Sequence, residues 1–139
     1  MTQTDTEIAR ILTETKTIAL VGWSPKPDRP SHGVARFLAA RGYRVIPVNP
    51  GQAGLPALGT TVRASLSEID EPVDMVDIFR RSEEVLPVVE EALAALPGLR
   101  TIWMQLGVAN AEAEALAKAQ GLAVVQNRCP AIEIPRLGL

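Results

Sequence analysis

The sequence predicts an α/β fold of the doubly wound type, with a mainly parallel sheet between two layers of helices. Continuous apolar runs at residues 17–21 and 73–79 are typical of strands that are buried on both faces. Segments with helical apolar spacing, such as residues 83–96 and 110–120, alternate with these runs. Such alternation favours parallel strands joined by right-handed crossovers.

Six strands and four helices follow from the same patterns. The strands are predicted at residues 17–21, 43–48, 60–62, 73–79, 101–106 and 122–125. The helices are predicted within residues 1–15 and at 31–41, 83–96 and 110–120, the last three capped by Ser31, Ser82 and Asn110. Pro47 is expected to end the second strand's ladder, and residues from Asn127 onward are expected to be irregular. We predict a Rossmann-like sheet with strand order 3-2-1-4-5-6.

Length and composition limit the classes of function. The chain has 139 residues, which is typical of one domain, so we predict a single domain over residues 1–139. A net charge of −2 argues against the broad basic face that a nucleic-acid or membrane-surface binder needs. No apolar run approaches the roughly 20 residues of a membrane span, and residues 1–10 lack a signal-peptide core. We therefore expect neither nucleic acid nor membrane as a partner.

The counts of cysteine and histidine are informative as well. The single cysteine, Cys129, allows no internal disulfide, which is consistent with a reducing, cytoplasmic location. One cysteine and one histidine cannot form a Cys/His zinc cluster, so no metal site is expected. A lone cysteine before proline is most simply a packed residue, and His32 is most simply exposed to solvent.

The predicted ligand site lies at the carboxyl ends of the strands, because open α/β sheets bind ligands there. The segment between the first strand and the next helix carries Gly22, Ser24, Lys26, Arg29 and Ser31. Glycine allows a close approach to the backbone, the hydroxyls and a helix N-terminus can donate to phosphate, and the cations can neutralise it. The alternative is that Lys26 and Arg29 are solvated surface residues and Ser31 is only a helix cap.

The dinucleotide fingerprint is absent from this segment. No Gly-x-Gly-x-x-Gly is present, and the second strand ends in Val48-Asn49-Pro50, where an acidic residue would bind the ribose hydroxyls of NAD. Both departures weaken the interpretation as an NAD(P)-dependent oxidoreductase, which stays open as an alternative.

Five motifs together resemble the small bacterial CoA-binding proteins, and through them the CoA-binding domain of the succinyl-CoA synthetase α subunit. The resemblance extends over residues 16–137. The motifs are GWSPKPDRPS at residues 22–31, VNP at 48–50, VDIFR at 76–80, WMQLG at 103–107 and RCP at 128–130.

The resemblance implies a site for coenzyme A or an acyl-CoA. It assigns the pyrophosphate to the first motif and the adenosine to the second. Phe79 and Arg80 of the third motif are implied to flank the adenine or pantetheine, and Gln105 and Gly107 of the fourth to line the far side of the cleft. The implied binding residues are Gly22, Trp23, Ser24, Lys26, Arg29, Pro30, Ser31, Val48, Asn49, Pro50, Phe79, Arg80, Gln105 and Gly107.

The sequence supports a binding module more than a catalyst. No Ser/His/Asp set or spaced carboxylate pair is recognisable, so no catalytic residue is assigned. In the synthetase that the chain resembles, the phosphorylated histidine belongs to a further domain, which we do not expect here. A CoA-linked enzyme that uses Cys129 remains a second alternative, and a protein partner or a homo-oligomer is left open.

Overall fold

A five-stranded parallel sheet forms the centre of the protein, for which a computed structural model describes residues 4–139. The first part of the predicted N-terminal segment, residues 1–3, lies outside the described residues. The strands are β1 (Thr17–Val21), β2 (Arg44–Val48), β5 (Met75–Ile78), β6 (Thr101–Met104) and β7 (Ala123–Val125). Their order across the sheet is β2-β1-β5-β6-β7.

Helices cover both faces of this sheet, which confirms the predicted α/β class. Alternate side chains of β1 lie on opposite faces of the sheet. Ile18 and Leu20 belong to one apolar cluster, and Ala19 and Val21 belong to the other. The first cluster includes residues of α1 (Asp5–Glu14), α2 (Pro30–Ala40) and α5 (Pro130–Arg136). The second includes residues of α3 (Val85–Ala95) and α4 (Ala111–Ala119).

The predicted strand order is wrong at one edge. Residues 60–62 do not add a sixth strand to the sheet, although the remaining order agrees with the prediction. Instead, β3 (Pro56–Ala57) and β4 (Thr60–Thr61) form a separate antiparallel hairpin. The chain reverses through left-handed backbone at Leu58 (φ 54°) and Gly59 (φ 77°), so this segment pairs with itself. A single bridge from Val48 to Arg63 joins it to β2.

Pro47 does not end the ladder, contrary to the expectation. It pairs with Leu20 inside β2, which is the edge strand. The Pro47 carbonyl accepts from the Arg63 N–H at 3.0 Å. The backbone of Pro47 therefore faces away from β1, where the missing N–H removes no bond of the main sheet.

The chain after Asn127 is not irregular, since α5 occupies Pro130–Arg136. Glu133 is buried in this short helix and pairs with Arg128 at 3.1 Å and with Arg136 at 2.7 Å. Pro135 lies inside this helix. Because proline normally breaks a helix interior, the sequence pattern does not predict a helix here.

Ser82 is not the cap of α3, which begins later, at Val85. Ser82 opens a 3₁₀ turn, Ser82–Glu84, and its hydroxyl accepts from the Ala109 N–H at 3.0 Å. It thereby ties the loop after β5 to the loop after β6. Asn110 does cap α4, with its side chain accepting from the Ala113 N–H at 2.9 Å.

Candidate functional site

The strand order reverses between β1 and β5, and this position defines the candidate site. From β1 the chain goes to β2 on one side, and it later returns to β5 on the other side. Gly22 follows β1 and Phe79 follows β5. The Phe79 N–H donates to the Val21 carbonyl at 2.8 Å, so the two loops begin in direct contact. Open α/β sheets bind ligands at such a reversal.

The contact between the loops after β1 and β5 requires a glycine at position 22. Its φ of +89° lies in the left-handed region. A Cβ added there would overlap the Phe79 carbonyl oxygen and would lie 3.0 Å from the carbonyl carbon. The glycine therefore lets the loop after β1 lie directly against the loop after β5.

A cavity of about 310 Å³ borders this contact. We call it the phosphate cavity after the ligand group that the sequence predicts for its residues. It contains the whole candidate set from the loop after β1, together with one residue each from the loops after β2 and β5. The lining residues are Gly22, Trp23, Ser24, Lys26, Arg29, Pro30, Ser31, Asn49 and Phe79.

The sequence predicts Ser31 as the N-cap of α2, and this prediction is wrong. The helix begins at Pro30, and Arg29 occupies the cap position without a side-chain hydrogen bond. Ser31 is only 4% exposed, and within residues 4–139 its hydroxyl has no hydrogen-bond partner. The N–H groups of His32 and Gly33 both bond to the Arg29 carbonyl, at 3.0 and 3.4 Å. A buried hydroxyl without a partner is costly, so Ser31 is suited to a ligand acceptor in the cavity.

The loop that carries the phosphate cavity is held from two sides. Asn49 donates from Nδ2 to the Trp23 carbonyl at 2.6 Å, and its Oδ1 accepts from the Gly51 N–H at 2.8 Å. His32 Nδ1 lies 3.1 Å from the Ser24 carbonyl, and its ring stacks on Trp23 with centroids 6.1 Å apart. Asn49 and His32 thus position the loop.

The cations of this loop are available to a ligand. In the part of the chain that the structure describes, neither Lys26 nor Arg29 forms an ion pair with a carboxylate. Both line the phosphate cavity beside Ser31. Two unpaired cations beside an unsatisfied hydroxyl are suited to an anion such as a diphosphate.

A second cavity of about 440 Å³ adjoins the first, and we call it the adjoining cavity. The two cavities share Gly22, Asn49 and Phe79. The adjoining cavity also contains the predicted site residues Val48, Pro50 and Arg80. Its other lining residues are Val21, Ala64, Ser65, Leu66, Arg81, Glu84, Val88 and Glu91.

Gln105 and Gly107 line neither cavity. Gln105 is buried, and its amide nitrogen, in the orientation that satisfies its surroundings, donates to Asp77 Oδ1 at 2.9 Å and Oδ2 at 3.2 Å. The Gly107 N–H donates to Asn127 Oδ1 at 2.7 Å. Their role as ligand contacts stays a prediction.

Asp77 was missed by the sequence argument. It is 0% exposed near the carboxyl end of β5, beside Leu20 and Trp103 in the ladder. Burial raises the pKa of its carboxyl well above the ordinary value. A carboxyl inside the apolar run at residues 73–79 is the signal that could have revealed it, because such a group needs a partner in the core.

Residues 4–139 bear on the predictions about metal, membrane and thiol chemistry. Within them, no group of three or more His, Cys, Asp or Glu side chains is placed to hold a metal ion. The same residues include no helix with the length and hydropathy to cross a membrane. Cys129 is buried and its thiol is free of disulfides, and its structural role stays a prediction.

Similar proteins share both the sequence and this fold. The protein YneT of Bacillus subtilis, whose function is uncharacterized, is 43% identical over 123 residues, which are 88% of each chain. A solved protein from Thermus thermophilus superposes with a TM-score of 0.90 at 38% identity, covering 97% of this chain and 99% of that one.

A more distant match is to one part of a larger enzyme. An acetyl-coenzyme A synthetase of Ca. Korarchaeum cryptofilum, in complex with phosphate and ADP, matches with a TM-score of 0.65 at 25% identity. The match covers 78% of this chain but only 25% of the synthetase. The family model described as "CoA binding domain" matches residues 16–135 of this chain. The protein therefore belongs to the CoA binding domain family.

Proposed function

We propose that this protein binds coenzyme A or an acyl-CoA at the reversal between β1 and β5, and that it acts as a binding module. The observation that carries the proposal is the buried Ser31 hydroxyl, which has no partner within residues 4–139 and lines the phosphate cavity. A phosphate oxygen there would satisfy this hydroxyl at the N-terminus of α2, where the helix dipole favours an anion.

The charges of the cavity fit the diphosphate of CoA. Lys26 and Arg29 supply two cations within a protein whose net charge is −2. Local cations are required because the protein as a whole does not attract a polyanion. Family membership supports the same ligand, and the acetyl-coenzyme A synthetase among the structural relatives is consistent with it.

CoA is expected to bind more tightly than NAD. The adenosine side of the site carries Val48, Asn49 and Pro50, and none of these offers the carboxylate that binds the ribose hydroxyls of NAD. Parallel calorimetric titrations of the full chain with CoA and NAD measure this difference. If NAD binds as tightly as CoA or more tightly, the nicotinamide alternative replaces this proposal.

Replacement of Arg29 by alanine is expected to weaken CoA binding by about one to two orders of magnitude. A charge-assisted hydrogen bond contributes about 1.5–3 kcal/mol, and tenfold in affinity corresponds to about 1.4 kcal/mol. Titration at low and high salt should show a steeper loss of affinity for the wild type than for Arg29→Ala, because salt screens an exposed cation. Arg29→Lys should restore only part of the affinity if the contact is bidentate.

Arg36→Ala provides the matched control for this experiment. Arg36 is exposed on the same helix and lines neither cavity. Its removal lowers the net charge equally and should leave CoA affinity nearly unchanged. If Arg29→Ala binds CoA as the wild type does at low salt, the diphosphate lies elsewhere.

A further inference from the structure

We propose that Arg80 binds the 3′-phosphate of CoA and makes the site selective for CoA over nucleotides that lack this group. The proposal rests on the CoA binding proposed above and specifies how the second anionic group is recognised. It assigns a separate function to the adjoining cavity.

CoA carries a phosphate monoester as well as a diphosphate, and each anionic group needs counter-charge. A phosphate monoester carries a charge of about −1.5 to −2 at neutral pH, in addition to the charges of the diphosphate. Lys26 and Arg29 are the cations among the lining residues of the phosphate cavity. The adjoining cavity adds Arg80 and Arg81, and its lining also includes Glu84 and Glu91. A second phosphate group therefore finds its counter-charge there by taking an arginine from its ion pair with Glu84.

The two cavities are joined by shared lining residues. They meet at Gly22, Asn49 and Phe79, and Arg80 directly follows Phe79 in the chain. The 5′-diphosphate and the 3′-phosphate of CoA are attached to one ribose. A ribose at the junction can therefore direct its 5′ side toward Lys26 and Arg29 and its 3′ side toward Arg80.

Arg80 forms a partly exposed ion pair with Glu84. Its Nη2 lies 3.1 Å from Glu84 Oε1, and the Arg80 side chain is 40% exposed. Arg81 shares the same carboxylate at 3.4 Å but is 75% exposed, so it extends further into solvent. Exposed ion pairs contribute little, whereas arginine binds phosphate with two parallel hydrogen bonds. The 3′-phosphate thus replaces Glu84 as the partner of Arg80.

The test compares CoA with dephospho-CoA, which differs only by the 3′-phosphate. We expect the wild type to bind CoA about tenfold or more tightly than dephospho-CoA. Arg80→Gln should reduce this ratio to within about threefold and leave the affinity for dephospho-CoA unchanged. Glu84→Gln should do the opposite, tightening CoA binding alone, because Arg80 loses its competing partner.

Two controls isolate Arg80. Arg100→Gln removes an arginine that is 54% exposed and bonded to Glu14 at 2.8 Å, before β6 at the amino end of the sheet. It should preserve the ratio of affinities, whereas Arg81→Gln should reduce the ratio less than Arg80→Gln does, because Arg81 is more exposed. If Arg81→Gln rather than Arg80→Gln abolishes the ratio, the assignment to Arg80 is wrong.

The remaining outcomes distinguish a failure of the Arg80 assignment from a failure of the proposed CoA binding. A wild type that binds both ligands equally, or an Arg80→Gln variant that loses both equally, overturns the role of Arg80 and leaves CoA binding in place. A wild type that binds neither ligand overturns the proposed function itself.

Discussion

Gly22→Ala is expected to destabilise the fold by about 3 kcal/mol or more and to abolish CoA binding. The alanine Cβ would overlap the backbone carbonyl of Phe79, which cannot move without shifting the loop after β5. The left-handed φ of +89° adds a further cost of about 1–2 kcal/mol, and overpacking typically costs about 1–3 kcal/mol. Denaturant unfolding measures the stability, and titration with CoA measures the binding.

Gly42→Ala separates the two causes. Gly42 has a comparable φ of +98°, but nothing lies within 4 Å of the position of its Cβ. Its replacement should therefore show the cost of the backbone conformation alone and leave CoA binding intact. If the two variants lose the same stability, the contact between Gly22 and Phe79 is not what requires the glycine.

Asp77→Asn is expected to stabilise the protein at neutral and alkaline pH and to flatten its dependence of stability on pH. The pKa of Asp77 is raised in the folded state, so above about pH 4, the pKa of an unfolded aspartate, unfolding releases a proton. The free energy of unfolding then falls by up to about 1.4 kcal/mol per pH unit until the folded-state pKa is reached. An asparagine keeps a carbonyl oxygen for the Gln105 amide and has no proton to release.

Urea unfolding of both proteins from pH 4 to pH 8 measures this effect. Asp70→Asn is the control, because Asp70 is an exposed carboxyl, and it should follow the wild-type curve. Parallel curves for the wild type and Asp77→Asn would mean that the Asp77 carboxyl is charged in the folded protein.

The strands of the sheet could be predicted because each is an apolar run buried on both faces, as in β1, where Ile18 and Ala19 point to opposite clusters. Helix α5 could not, because Pro135 lies inside it and ion pairs with Arg128 and Arg136 stabilise its buried Glu133. The hairpin formed by β3 and β4 depends on left-handed backbone at a leucine, which a residue pattern does not reveal.

The predicted site was located by a topological rule, and most of its residues do meet there. The rule places the ends of β1, β2 and β5 together, and the structure gathers Gly22, Asn49 and Phe79 between two cavities. The topological rule does not predict which of these side chains form hydrogen bonds within the protein instead of with a ligand. The Asn49 amide donates to the Trp23 carbonyl, and the Gln105 amide donates to the Asp77 carboxyl. From the sequence alone, both amides are predicted to contact the ligand.

The carboxyl-terminal part of the outer edge of β2 is closed to strand addition by another chain. Pro47 offers no donor there, its carbonyl accepts from Arg63, and the Asn49 N–H donates to the Arg63 carbonyl at 2.9 Å. Unprotected sheet edges are templates for aggregation. At the opposite edge of the sheet, Ala123–Val125 provides only three residues for pairing. A sheet built almost wholly of apolar strands can therefore remain unextended, with its binding loops left free at one end.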